Sequence, residues 1–187
     1  PLHALVACSD NGEVLDLTNK VEESGRLDWE APPGEWKVYA VFNGWSGKQV
    51  KRAAPGQEGS MIDYFSKEAL MNYLSRFDKS LEFYQANSIR AYFNDSYEID
   101  GADWTINFFI EFENRRDYDL RRHLPALFGE GSEEKVSRIK SDYRETISEL
   151  LLEEFTLWTH WAHEKGSMTR NQAHGGPGNL LDLYTAS

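Results

Sequence analysis

From residue 36 onward, short apolar runs alternate with long stretches whose apolar residues fall three and four apart, and this alternation constrains the chain more than any other feature. Strands alternating with amphipathic helices imply crossover connections, and crossovers place successive strands in parallel, so the pattern predicts an α/β fold of βα units. The clearest helical stretch runs from about residue 133 to 165. Val136, Ile139, Tyr143, Ile147, Leu150, Leu151, Phe155, Trp158 and Trp161 form its stripe, Glu133 and Glu134 sit in a first turn that favours negative charge, and Gly166 stops it. Leu70, Tyr73, Leu74, Phe77, Leu81 and Tyr84 form a second stripe behind Ser66, a residue suited to cap a helix. Ile106, Phe109, Ile110 and Glu113 predict a third helix after Asp103, and residues 179–184 begin a further one. Residues 89–93 and 167–173 read as short strands between helices.

The first 45 residues read as β. Apolar runs at 2–7, 14–17 and 36–42 are separated by Ser9-Asp10-Asn11-Gly12 and Pro32-Pro33-Gly34. The run at 36–42 is nearly continuous, as in a strand covered on both faces, and is a candidate barrel strand. A polar connection over 43–60 is long enough for a functional loop. The expected organisation is a β-rich section over 1–50 leading into a (β/α) TIM-type barrel over 51–187. At 187 residues the chain is shorter than the roughly 250 of a complete barrel, so the expectation is a partial barrel, incomplete at the C-terminus.

Composition narrows the partners. Thirty-one acidic against 20 basic residues give a net charge of −11, which argues against nucleic acid, since that binding needs a concentrated basic surface. Six Trp, nine Tyr and ten Phe suit a sugar cleft, because the apolar face of a pyranose packs on such rings, although most aromatic residues serve a core. The single cysteine, Cys8, lies in an apolar run and reads as a buried thiol. No run of 18 apolar residues predicts membrane insertion, and no signal peptide is visible, although the chain begins at Pro1 and a signal could precede it.

The segment from Ala91 to Trp104 carries the chemistry. A hydrophobic strand runs into Asp95, Glu98, Asp100 and Asp103, flanked by Tyr97 and Trp104. The carboxyl end of a barrel strand is where catalytic groups are presented. Glycoside hydrolysis needs two carboxyl groups, one protonated and one ionised, and crowded carboxylates beside aromatic rings push at least one toward the protonated form. The competing reading is a solvated acidic loop with Asp103 as a helix cap. The acids do not fall on the positions of an EF-hand loop. Asp63 follows apolar Met61-Ile62 and precedes a helix, so it reads equally as a strand-end site residue or a cap.

Four strings carry a resemblance: Ala54-Pro55-Gly56-Gln57-Glu58-Gly59, Met61-Ile62-Asp63-Tyr64-Phe65-Ser66, Phe93-Asn94-Asp95-Ser96-Tyr97-Glu98 and Thr169-Arg170-Asn171-Gln172-Ala173-His174-Gly175. In this order and spacing the chain resembles the α-L-rhamnosidases of glycoside hydrolase family 106, over nearly its whole length. The resemblance implies an inverting hydrolase acting on rhamnose-containing glycans, periplasmic or secreted, with one glutamate as acid, a second as base and a calcium ion assisting sugar binding. Glu98 matches the acid, and the base is expected beyond residue 187. Asp95 and Asp100 would tune Glu98 or help hold an ion, and Asn171, His174, Trp104 and Asp63 are the expected substrate contacts. The alternatives are a barrel glycosidase for another sugar such as galactose, or a non-catalytic carbohydrate-binding or structural domain. Gly175-Gly176-Pro177-Gly178 lacks the lysine of a phosphate loop and reads as a turn, and His160 and His163 lack zinc-site spacing.

Overall fold

The structure, a computed structural model, describes every residue except 52, 57, 85–87 and 98–100. In chain order the described elements are β1 (Leu2–Ser9), β2 (Val14–Asp16), β3 (Trp36–Phe42), α1 (Lys67–Leu81), β4 (Ala91–Asn94), α2 (Phe108–Arg116), α3 (Leu124–Leu127), α4 (Glu133–Glu164), β5 (Met168–Asn171) and α5 (Leu180–Thr185). The fold is mixed α/β and forms two units, residues 1–44 with 106–143 and residues 45–105 with 144–187. The chain crosses after Gly44, Thr105 and Tyr143, so α2, α3 and the start of α4 group with the N-terminal strands.

In the first unit β1 is the central strand of an antiparallel sheet in the order β2-β1-β3. Ala4 to Cys8 are all buried, because a central strand is covered on both faces. The expectation that residues 36–42 form the doubly covered barrel strand is corrected here. β3 is an edge strand, antiparallel to β1, with Val38 and Phe42 exposed. Its apolar run serves single-sided ring contacts instead: Trp36 packs edge-on against Trp29 with centroids 5.7 Å apart, and Tyr39 stacks on Phe128 at 5.8 Å. Leu5, Ala7 and Leu17 form a core ringed by Leu2, Leu15, Val21, Leu27, Trp29 and Trp36. Phe108, Phe112, Leu120 and Leu124 are also fully buried, each worth about 1.5–3 kcal/mol in removal from water. Leu120 and Leu124 lie in a 3-10 turn at Leu120–His123 and in α3, short elements that periodicity does not reveal.

The second unit holds the parallel element. β4 pairs with β5 in the register Ala91↔Met168, Tyr92↔Thr169, Phe93↔Arg170, Asn94↔Asn171. Their connection runs through the helix α4, whose apolar stripe from Ile147 to Trp161 is buried as its spacing requires. Gly166 takes a left-handed φ of 70° and ends that helix. The chain then enters β5 directly, with the Ser167 hydroxyl donating to Ile89 O at 2.7 Å and Met168 N–H to Arg90 O at 3.0 Å. Ser66 caps α1 by accepting from Ala69 N–H at 3.2 Å, as its sequence position predicts. Period-2 alternation leaves Ala91, Phe93, Met168 and Arg170 exposed on one face of the strand pair, while Tyr92, Asn94, Thr169 and Asn171 are half-buried on the other. Among the described residues no helix is long and apolar enough to cross a membrane.

Candidate active site

Where β4 and β5 end, their backbones stay joined for another turn. Gln172 N–H donates to Asn94 O at 3.1 Å, and Tyr97 N–H to His174 O at 2.8 Å. Asn171 Oδ1 accepts from both Asn94 Nδ2 and Ala173 N–H, each at 3.0 Å. Ala173 is buried and held at a φ of +62°, which L-residues rarely adopt, and this bend turns the chain back toward Tyr97. Gly175 follows at φ +88°, and a Cβ there would overlap the Tyr97 carbonyl oxygen. Residue 175 must therefore be glycine for the two segments to meet so closely. Tyr97, 3% exposed, is gripped through its N–H, its carbonyl side and its ring, which meets Tyr64 edge-on at 5.3 Å. Burial, together with the charges of Glu154 and Tyr64, holds its phenol well above the usual tyrosine range, opposed by the amides of Asn171 and Asn94. Asn171 Nδ2 is a buried donor without a hydrogen-bond partner among the described residues.

The other end of the acidic segment is tied down as well. Thr105, 3% exposed, donates its hydroxyl to Asp63 Oδ2 at 2.7 Å, and Phe65 N–H donates to Asp63 Oδ1 at 3.0 Å. Behind these residues stands Glu154, 4% exposed on α4. Burial first, and the neighbouring Asp63 charge second, push its carboxyl up to about 8, so it is protonated at neutral pH. Tyr64 is likewise pushed up by burial and by Glu154.

Of the residues singled out from sequence, Glu98 and Asp100 lie outside the described residues. Asp95 is exposed and accepts from Ser96 N–H at 2.8 Å. Trp104 is half-buried. Asn171 and His174 come together with Tyr97 at the strand ends, His174 through its carbonyl with its side chain exposed. Asn171 has its oxygen engaged twice, and its Nδ2 is buried. Asp63 does not cap α1, since Ser66 does so, and it anchors the segment bearing Thr105 instead. Glu154 escaped the sequence reading, yet its signal was present. It sits three residues after Leu151 and four after Leu150, on the apolar stripe of α4, where a carboxyl is out of place. Among the described residues no three His, Cys, Asp or Glu side chains gather to hold a metal ion. An open groove of about 410 Å³ in the first unit is lined by Asp16, Glu113, Asp119 and Arg121 among others, and by none of the expected site residues.

The geometry has close relatives. The solved structure of a rhamnosidase from Novosphingobium sp. PP1Y matches with a TM-score of 0.78 at 28% identity, covering 97% of this chain and 19% of that one. A putative beta-glucuronidase of Formosa agariphila is 29% identical over 174 residues, which is 88% of this chain and 15% of that protein. The chain thus spans less than a fifth of the length of either relative. The family model described as alpha-L-rhamnosidase, glycoside hydrolase family 106, matches residues 1–179. With that match covering nearly all of its length, the chain belongs to glycoside hydrolase family 106, the α-L-rhamnosidases.

Proposed function

We propose that this chain supplies the proton-donor side of an α-L-rhamnosidase active site, with Glu98 as general acid at the carboxyl end of a barrel strand. The observation that carries the reading is the grip on Tyr97, which is held by His174 O and pressed against Gly175 beside the end of β5. Glu98 is the next residue in the sequence. Such anchoring is what a catalytic carboxyl needs, since a small misplacement costs rate steeply. The exposed face of the β4–β5 pair, with Phe93 and Met168 each more than half exposed, suits the interior of a barrel that further strands would complete.

In this reading the protonated Glu98 gives its proton to the glycosidic oxygen as the bond to the anomeric carbon breaks. A second carboxylate, outside these 187 residues, takes a proton from the water that attacks the opposite face, and the anomeric configuration inverts. The exposed His174 side chain holds sugar hydroxyls, Asn171 fixes the strand ends beside it, Trp104 offers an apolar face, and Asp95 and Asp100 tune the acid or help hold an ion. Asp63 serves the site by anchoring Thr105. No step passes through calcium. A rhamnose-containing glycan as substrate implies a periplasmic or secreted enzyme.

The test is Glu98→Gln in the enzyme containing this chain. Hydrolysis of natural rhamnosidic linkages should fall by about 10²–10⁴, and far less for aryl rhamnosides with good leaving groups, which need no proton. Near-normal rates on natural linkages would remove Glu98 from the role. The relative named as a putative beta-glucuronidase favours one second reading, the same chemistry on another sugar. A panel of aryl rhamnoside, galactoside and glucuronide separates the two.

A further inference from the structure

We propose that the outer edge of β3 is completed in the whole enzyme by a further β-strand, an extended and alternately apolar segment of the same polypeptide outside residues 1–187. β3 leaves two rows uncovered, one of backbone groups and one of side chains, and neither depends on which residue donates the proton.

The backbone row follows from the hydrogen bonds of β1. In an antiparallel strand the N–H and C=O of one residue point to the same side, and successive residues alternate sides. Leu5 O accepts from Leu17 N–H at 2.7 Å, Leu5 N–H donates to Thr18 Oγ1 at 3.0 Å, and Ser9 N–H donates to Glu13 O at 3.0 Å. Leu5, Ala7 and Ser9 therefore turn toward β2. Ala4, Val6 and Cys8 face β3, where Val41, Tyr39 and Lys37 stand opposite them. Asp10 N–H to Glu35 O at 3.4 Å and Asn43 N–H to Pro1 O at 3.0 Å continue this alternation beyond both ends of β3. The N–H and C=O groups of Val38, Ala40 and Phe42 thus point away from β1, with no strand beside them among the described residues.

The side-chain row belongs to the same residues. Val38, Ala40 and Phe42 stand opposite Ala7, Leu5 and Leu2, on the face that carries the core of Leu5, Ala7 and Leu17. Trp36, at the start of β3, joins that core and packs on Trp29. Past Trp36 the cover stops: Val38 is 47% exposed, Ala40 is exposed and Phe42 is 68% exposed. The other face is occupied, as Tyr39 stacks on Phe128 and Lys37 pairs with Glu130. Edges that stay open to water are guarded by prolines or charged side chains. β3 has no proline, and its one charged residue, Lys37, lies on the occupied face.

The form and size of the gap identify its occupant. Backbone groups and apolar side chains that both recur at every second residue fit another strand, because only a strand has that period. A second molecule is a poor fit, since a seven-residue edge falls far short of the roughly 1,200 Å² that stable interfaces between separate molecules bury. A strand on the same polypeptide needs no such area, because the tether supplies its effective concentration. Length is available for it, as this chain spans less than a fifth of either relative.

Amide hydrogen exchange in the enzyme containing this chain, resolved to single residues over 36–42, tests the proposal. Val38, Ala40 and Phe42 should exchange at least about 100-fold more slowly than an open chain, as slowly as the inward Tyr39 and Val41. That protection should persist when the enzyme is diluted about tenfold. Fast exchange at the three alternate positions beside slow exchange at Tyr39 and Val41 would show an open edge, and protection that dilution removes would show a second molecule; either overturns the proposal. Ala40→Pro removes one outward N–H, which an open edge tolerates and a paired strand does not. In this variant protection at Val38 and Phe42 should fall at least about tenfold, and unchanged protection there would show that something other than a paired strand covers the edge, which also overturns the proposal. Should the proline variant fail to fold, the wild-type exchange pattern still decides.

Discussion

Around the N-terminal sheet the buried side chains are Ala4 to Cys8, Leu17, Phe108, Phe109, Phe112, Leu120, Leu124, Ala126 and Ile139, whereas the buried polar or charged side chains among the described residues, Thr105, Thr146, Glu154, Thr159 and Ser167, all fall in the unit built on β4 and β5. The first set does what a core does, removing apolar surface from water at about 25 cal/mol per Å². The second set works against that, because each buried polar group must recover its lost hydration. Two of its members do so by fixing loops: Thr105 holds Asp63, and Ser167 holds the entry to β4 and β5. Polar burial thus marks the unit that spends stability on position, and it coincides with the strand ends where the acidic segment begins.

The sharpest way to break this contrast is Gly175→Ala. The added methyl meets the Tyr97 carbonyl, a backbone atom that cannot swing aside, at a φ of +88° that alanine resists. The left-handed cost and the overlap together amount to about 2–4 kcal/mol. More telling is the rate. Displacing Tyr97 by even about 1 Å should lower kcat/KM by about 10²-fold in molecules that remain folded. Thermal melts give the first quantity and rates per folded molecule the second. An alanine variant that melts lower yet keeps full activity would detach the Tyr97 grip from catalysis.

Why some of this was legible from sequence and some was not follows from the range of each interaction. Local period placed α4 at 133–165 against an observed Glu133–Glu164, and it found β4, β5 and the Ser66 cap, because those depend on neighbours within a few residues. The grouping of residues 106–143 with the N-terminal sheet carries no local signal, since the contacts that produce it are distant in sequence. Asp63 read equally as cap or site residue because Thr105, which decides the matter, lies 42 positions away. β3 looked doubly covered because Trp36 and Tyr39 are bulky, although their ring partners, Trp29 and Phe128, lie on other segments. Glu154 was visible but went unread, as a search for apolar stripes passes over the polar residue embedded in one.

On the other side of the comparison, Leu17→Ala should act on stability alone. Leu17 is 3% exposed in the core with Leu5 and Ala7, and its N–H donates to Leu5 O at 2.7 Å, a bond that alanine keeps. The lost side chain and the cavity it leaves cost about 2–4 kcal/mol. A urea titration should show a lower midpoint with an unchanged slope. Activity per folded molecule should stay within about twofold, since sites without shared partners behave additively. A rate loss matching the stability loss would mean that the apolar unit also sets the site, and the division of labour would fail.

The smallest effect is expected at Lys37→Met. Lys37 donates to Glu130 across an ion pair whose side chains remain 68% and 44% exposed. Water and salt screen such a pair, and holding two long side chains in one geometry costs entropy, so the bond contributes little net. The melting midpoint should move by no more than about 1 °C, with kcat/KM unchanged. The comparison is sharpened by this near-absence of effect, because Asp63–Thr105 in the other unit is also a single polar contact, yet its Thr105 end is buried and it ties down the acidic segment. Should Lys37→Met lower the midpoint by several degrees while Thr105→Val leaves both stability and rate untouched, burial would not be what separates the two kinds of contact, and the polar residues of the second unit would lose their claim to a positioning role.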